Sequence, residues 1–113
     1  MNCYEHTFIT KQDLTSAQTK VIVDKYEDII NKNSGNVLKV EQWGLKKFSH
    51  KIKNNKKGFY FHIKFKGIGK TIEELEKIEN IDQMLIRFLT VRVKKHDLKK
   101  EYFEKDDSIK NNR

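Results

Sequence analysis

The side chains of this 113-residue chain that could do chemistry are four histidines, one cysteine, scattered carboxylates and many lysines. His50 and His62 are near enough in sequence to suggest a metal pair. The strand register inferred below sets them on opposite faces of a sheet, with no third ligand close, so no metal is expected. Cys3 is the single cysteine, which excludes an internal disulfide and a thiol pair for metal or redox work. Gly67-Ile68-Gly69-Lys70 has residue types of a phosphate loop but not its spacing, and follows no parallel strand. A turn before a helix is the expectation there. No Ser-His-Asp or Cys-His set, and no paired carboxylates in a credible cleft, can be assembled. The chain is therefore expected to be no enzyme, with no cofactor and no small-molecule substrate.

Lysine is what remains. Twenty-four Lys and Arg against sixteen Asp and Glu leave a formal charge of +8, which favours a polyanionic partner. The charge is unevenly placed. Residues 39–66 hold nine Lys and one acid, Glu41, and residues 86–100 hold six Lys or Arg and one Asp. Residues 71–85 run the other way, with five acids against Lys77. Basic segments interleaved with Trp43, Tyr60 and Phe61 suit a nucleic-acid surface. A membrane surface would call for a basic amphipathic helix, and neither expected helix is basic. No apolar run approaches the roughly 20 residues that span a bilayer. The start, Met1-Asn2-Cys3-Tyr4-Glu5, has no signal-peptide pattern, so a cytoplasmic location is expected.

These side chains must be carried by regular elements. Residues 3–9 alternate, with Tyr4, His6 and Phe8 on one face, the period of a strand. Thr15 and Gln18 form a capping box that opens a helix with Ile22, Tyr26, Ile29 and Ile30 as its stripe. Gly35 is expected to end it in the left-handed conformation. A long strand over 37–53 bends at Gly44, where an isolated glycine marks a bulge. A polar loop over 54–57 leads to a third strand over 58–65. Thr71 and Glu74 suggest a second capping box, followed by a stripe of Ile72, Leu75 and Ile78. A last strand covers 86–94. The chain thus reads as one domain, 1–96, and a charged tail, 97–113, too poor in apolar residues to be expected to order.

The order βαββαβ is α+β and ferredoxin-like: four antiparallel strands with two helices on one face. The other face is left open for a partner. A four-residue hairpin loop would pair Ile52 with Phe59, His50 with Phe61 and Phe48 with Ile63 on the core side. It would pair Lys51 with Tyr60, Ser49 with His62 and Lys47 with Lys64 on the outer side. Like charges opposite each other are destabilising, so an anion is expected near the lysine pair. Phosphate contacts are assigned to Lys46, Lys47, Lys51, Lys53, Lys56, Lys57, Arg87, Arg92, Lys94 and Lys95. Such contacts position a protein on nucleic acid while reading little sequence. Tyr60 and His62 are the candidates for a partner or for base stacking on the open face. Phe88 and Thr90 join them as candidates from the last strand, which is apolar on both faces and leaves its parity open.

Over residues 2–96 the chain resembles the S-six family of bacterial small-subunit ribosomal proteins. The strongest run is Gly44-Leu45-Lys46-Lys47-Phe48-Ser49-His50-Lys51-Ile52-Lys53. The family pattern there is glycine, any residue, two basic or polar positions, leucine, a small residue, tyrosine, any residue, isoleucine and a polar or basic residue. Tyr4-Glu5, Lys57-Gly58-Phe59-Tyr60, and Ile86-Arg87 through Arg92 also match. Phe48 and His50 depart from the usual leucine and tyrosine, and Asn2 stands where a basic residue often precedes the Tyr-Glu pair. The resemblance implies binding to the central domain of small-subunit ribosomal RNA and pairing with ribosomal protein S-eighteen.

A general RNA recognition motif is the main rival, because it has the same element order. Lys57, Gly58, Phe59 and Phe61 fit its third-strand signature, whereas Tyr60, His62 and Lys64 do not. Its aromatics face RNA, while parity here sends Phe59 and Phe61 toward the helices. An acylphosphatase-like enzyme would need a glycine-rich cradle with arginine after the first strand, and Ile9-Thr10-Lys11-Gln12-Asp13 offers none.

Overall fold

A computed structural model describes residues 1–95; the expectation for a tail over 97–113 lies outside the described residues. The elements follow in the expected order: β1 (Asn2–Lys11), α1 (Ser16–Lys32), β2 (Asn36–Ile52), β3 (Asn55–Gly67), α2 (Gly69–Glu79) and β4 (Leu85–Val93). The four strands form one antiparallel sheet in the order β2-β3-β1-β4. Both helices cover one face, and the fold is ferredoxin-like.

Local chemistry explains the helix that matters most to the core. Thr15 Oγ1 accepts the Gln18 N–H at 3.1 Å, and Gln18 Oε1 accepts the Thr15 N–H at 2.8 Å, a reciprocal cap. Ile22, Val23, Tyr26 and Ile30 of α1 then meet Phe8, Phe61, Ile63 and Phe65 of the sheet and Leu75 of α2. Phe8 stacks on Phe61 and meets Tyr26 edge-on, with ring centroids 5.1 and 5.2 Å away. Tyr4 joins the same face, stacked on Phe65.

Three local expectations are corrected. The left-handed residue after α1 is Ser34, with φ 64°, and not Gly35. Gly35 is needed because a Cβ there would sit 2.6 Å from both Ile30 Cγ2 and the Ile30 carbonyl oxygen. Thr71 lies inside the first turn of α2. Its hydroxyl accepts the Ile68 N–H at 3.1 Å and donates to the Asn33 carbonyl at 2.6 Å, tying α2 to the end of α1.

The third correction is the β2–β3 register. The hairpin closes on two residues, Lys53 and Asn54, both at positive φ (48° and 65°). This is the twist that two-residue hairpin turns favour. Irregularities then fall between Val37 and Lys39, at Gly44 (φ 85°), and between Lys47 and Ile52. Lys47 therefore pairs with Lys57 and not Lys64, and Leu45, not Ile52, stands opposite Phe59. Phe48 consequently leaves the helix-covered face. It packs with Ile9 and Ile86, against Ile52 and Tyr60, and His50 is exposed.

Candidate nucleic-acid and partner interface

The β2–β3 hairpin runs past the end of β1, whose last partner on β3 is Gly58. Gly58 permits this crossing, since a Cβ there would lie 2.5 Å from Ile9 Cγ2 and 2.7 Å from the Thr10 oxygen. Beyond it the strands form a short arm. The arm carries Lys46, Lys47, Lys51, Lys53, Lys56 and Lys57, with no Asp or Glu anywhere in 42–57. All six but the half-buried Lys46 are exposed. The tip is held by Asn55, whose amide donates to the Ile52 and Lys53 carbonyls at 3.2 and 2.9 Å. The folded-back Phe48, 9% exposed, anchors the arm's base. Arg87 lies beside this base, on β4 opposite Ile9. With Lys51 and Lys53 it lines a cleft of about 580 Å³ whose far wall includes Glu79 and Asp82.

The remaining expected cations are elsewhere. Arg92, Lys94 and Lys95 stand at the opposite end of the sheet, where β4 meets the start of β1. Seven residues of β1 separate Cys3 from Thr10, about 23 Å at strand rise. The ten basic positions thus form two poles, and the structure does not bring them together. Asn2 has a role at the far pole: its Oδ1 accepts from Arg92 Nη2 at 3.0 Å.

Between the poles lies the open face. His62 is buried there, its Nδ1 2.8 Å from Thr7 Oγ1 and its Nε2 3.0 Å from Glu5 Oε1. Trp43 covers it, stacked on His62 at 4.9 Å and on Tyr60 at 6.4 Å between centroids. Burial lowers the His62 pKa below its usual value, an effect that Glu5 and Glu41 only partly oppose. Beside it Lys64 Nζ is 3.2 Å from Glu41 Oε2, and Lys39 Nζ is 3.9 Å from the same oxygen. Burial alone would raise the Glu41 carboxyl, but the Trp43 indole N–H at 2.9 Å and the Lys64 ammonium outweigh it and hold it low. Burial raises the Tyr60 hydroxyl, with Arg87 in opposition. Alongside these polar groups runs a groove of about 690 Å³, walled by Leu89, Val91 and Val93. Leu89 is 63% exposed and Val91 48%, a large apolar presentation for a strand at a sheet edge.

Tyr60 and His62 are on the open face as expected. Phe88 and Thr90 are not: they pair with Phe8 and His6 on the helix-covered side. Phe88 packs against the main core, and Thr90 Oγ1 is 2.6 Å from His6 Nδ1. Hydrophobicity could not settle this, because β4 is apolar on both faces. Cross-strand parity with Phe8 would have. Leu89 and Val91, the residues that do line the open face, were missed for the same reason.

The arrangement offers exposed cations beside an apolar face. Among the described residues no group of three or more His, Cys, Asp or Glu could hold a metal. No described helix is long and apolar enough to cross a membrane. Phe61, 3% exposed beneath the helices, removes the rival third-strand RNA motif. These features belong to a ribosomal protein of the small subunit on a ferredoxin-like sheet, as comparison with known proteins shows.

The family described as Ribosomal protein S6 matches residues 3–92, and the chain belongs to that family. A small ribosomal subunit protein bS6 from Pelagibacter ubique is 50% identical over 107 residues, covering 95% of this chain and 88% of the relative. The protein of that name from Brucella anthropi is 35% identical over 97 residues, 86% of this chain and 64% of the relative. A crystal structure of the 30S ribosomal protein S6 from Thermotoga maritima aligns with a TM-score of 0.77 at 26% identity. It covers 99% of this chain and 98% of that one.

Proposed function

We propose that this protein binds the central domain of small-subunit ribosomal RNA together with ribosomal protein S-eighteen, as a heterodimer on the ribosome in the cytoplasm. The observation that carries the reading is Lys47 directly opposite Lys57, in an arm without a single acid. Cross-strand like charges cost stability, and polyphosphate relieves that cost. The arm and the far pole supply the phosphate contacts. The open face, with Tyr60, Trp43, Leu89 and Val91, takes the second protein. RNA and partner then occupy different surfaces, and each is free to favour the other's binding.

Titrating a central-domain RNA fragment with this protein alone, and again with S-eighteen present, tests the scheme. The expected coupling is on the order of 1–3 kcal/mol. Equal affinities in the two titrations would remove the heterodimer and leave a lone RNA binder.

A further inference from the structure

We infer that Phe48 is a positioning residue that couples the basic arm to the partner groove through the rings of Tyr60 and Trp43. The inference rests on the function proposed above and specifies how a ligand on one surface is sensed at the other.

The two surfaces are joined by a file of side chains. Phe48, at the base of the arm, meets Tyr60 edge-on with ring centroids 6.1 Å apart. Tyr60 stacks on Trp43 at 6.4 Å, and Trp43 on His62 at 4.9 Å. Ring pairs at such distances attract beyond the area they bury, so a shift of one ring is felt by the next. Trp43 and His62 also line the groove that Leu89 and Val91 wall. The file thus starts in the arm and ends in the groove. Arg87 makes a second junction, because it lines both that groove and the arm's cleft.

Local sequence explains why this file can respond at both ends. Gln42 pairs with Phe61 and Gly44 with Tyr60, so Trp43 is the extra residue of a bulge, and its indole lies over Tyr60 and His62. Between Lys47 and Ile52 the register jumps by three residues, so Phe48 lies in a segment that regular pairing with β3 does not hold. Packing on Ile9 and Ile86 holds it instead. Gly58 makes room for that packing, since a Cβ there would come 3.0 Å from Phe48 Cζ. Coupling between two sites needs an element whose position both ligands bias. A polyanion that draws Lys51 and Lys53 shifts the segment carrying Phe48, and a partner seated in the groove presses on Trp43. Both then act on one set of rings.

The test uses the full chain, a central-domain RNA fragment and S-eighteen. Trp43 is the single tryptophan, so its fluorescence reports the groove end of the file. RNA added without the partner should change the Trp43 emission of the parent, and change that of F48A much less. RNA affinity is then titrated with and without S-eighteen. F48A, or F48V if the alanine variant does not fold, should keep each separate affinity within about threefold of the parent, while the factor by which S-eighteen tightens RNA binding, about 5–150 for typical coupling, falls toward one. F48L keeps a large apolar side chain against Tyr60 and should restore most of that factor. A purely structural role for Phe48 would weaken the separate bindings and leave the factor alone. Emission unmoved by RNA in the parent would overturn the inference without any variant, and so would an undiminished factor in the folded alanine or valine variant. Absence of RNA or partner binding in the parent itself would overturn the proposed function as well.

Discussion

His6 and His62 stand on the two faces of one sheet, each against a carboxylate, and they are held in opposite ways. His6 lies under α2, its Nε2 2.6 Å from Glu79 Oε2 and its Nδ1 2.6 Å from Thr90 Oγ1, with both the His6 and the Glu79 side chains fully enclosed. Burial raises the Glu79 carboxyl despite its contact with His6, and its other oxygen is buried without a hydrogen-bond partner among the described residues. His62 is covered by the lid of Trp43 and keeps its carboxylate, Glu5, at the edge of the groove. The first cluster joins β1, α2 and β4 and belongs to the fold. The second lies beneath the open face, beside the groove walled by Leu89 and Val91. Polar groups on the covered face hold elements together, and those on the open face set the shape and charge of a contact.

That contrast can be broken most decisively at Glu79. Glu79→Ala strands His6 in the core, and the expected loss in urea unfolding is about 3–5 kcal/mol. Glu5→Ala, whose partner borders an open groove, should lose about 1 kcal/mol or less. Similar losses at the two sites would mean that the open face is as much core as the covered one.

The next effect is a pH dependence. The folded-state pKa of His62 lies below its usual 6.5, so the unfolded chain takes up this proton first as pH falls. Stability should therefore decline below about pH 6.5 and level off once the folded form also titrates. Glu79 works the other way, because its raised folded pKa adds stability as pH falls toward 4.5. The decline just below 6.5 therefore belongs to His62 and should flatten in His62→Asn. Urea midpoints at pH 7.5 and 5.5 for the two proteins measure it, and an unaltered decline would place its origin elsewhere.

The smallest effect on stability is the most informative about function. Leu89→Ser on the open face should shift unfolding by no more than about 0.5 kcal/mol, since the side chain is mostly in solvent already. Leu75→Ala beneath α1 should cost about 2–5 kcal/mol. If Leu89→Ser also leaves the affinity for S-eighteen unchanged, the partner does not use this groove.

Element order and the covered core were legible because periodicity and capping are local. The Thr15–Gln18 box, the α1 stripe and the β1 parity of Tyr4, His6 and Phe8 can all be seen within a few residues. The hairpin register was not, since two of its three irregularities leave no mark on composition and only Gly44 signals one. The first two irregularities shift the register by one residue each and the third, between Lys47 and Ile52, by three, which is how Phe48 came to change face. The buried Glu79 was hidden by its chemistry. Among five acids it reads as one more solvated charge, yet Thr71, Leu75 and Glu79 are spaced by four, and the helical period alone puts it on the inner stripe. Lys64 was misjudged likewise: it does not stand opposite Lys47 but is buried against Glu41.

The place of β1 at the centre of the sheet has a consequence for how the protein is made. The first strand synthesised must wait for β4, because His6 meets Glu79 and Thr90 across 73 and 84 residues of chain. A growing chain can form α1 and the hairpin from neighbouring segments, but it cannot close the sheet until residues near 90 have left the ribosome that is making it. Until then Phe8 lacks its β4 partner Phe88, and one long edge of β1 is unpaired. Contacts of such separation slow folding and lengthen the exposure of sticky surface.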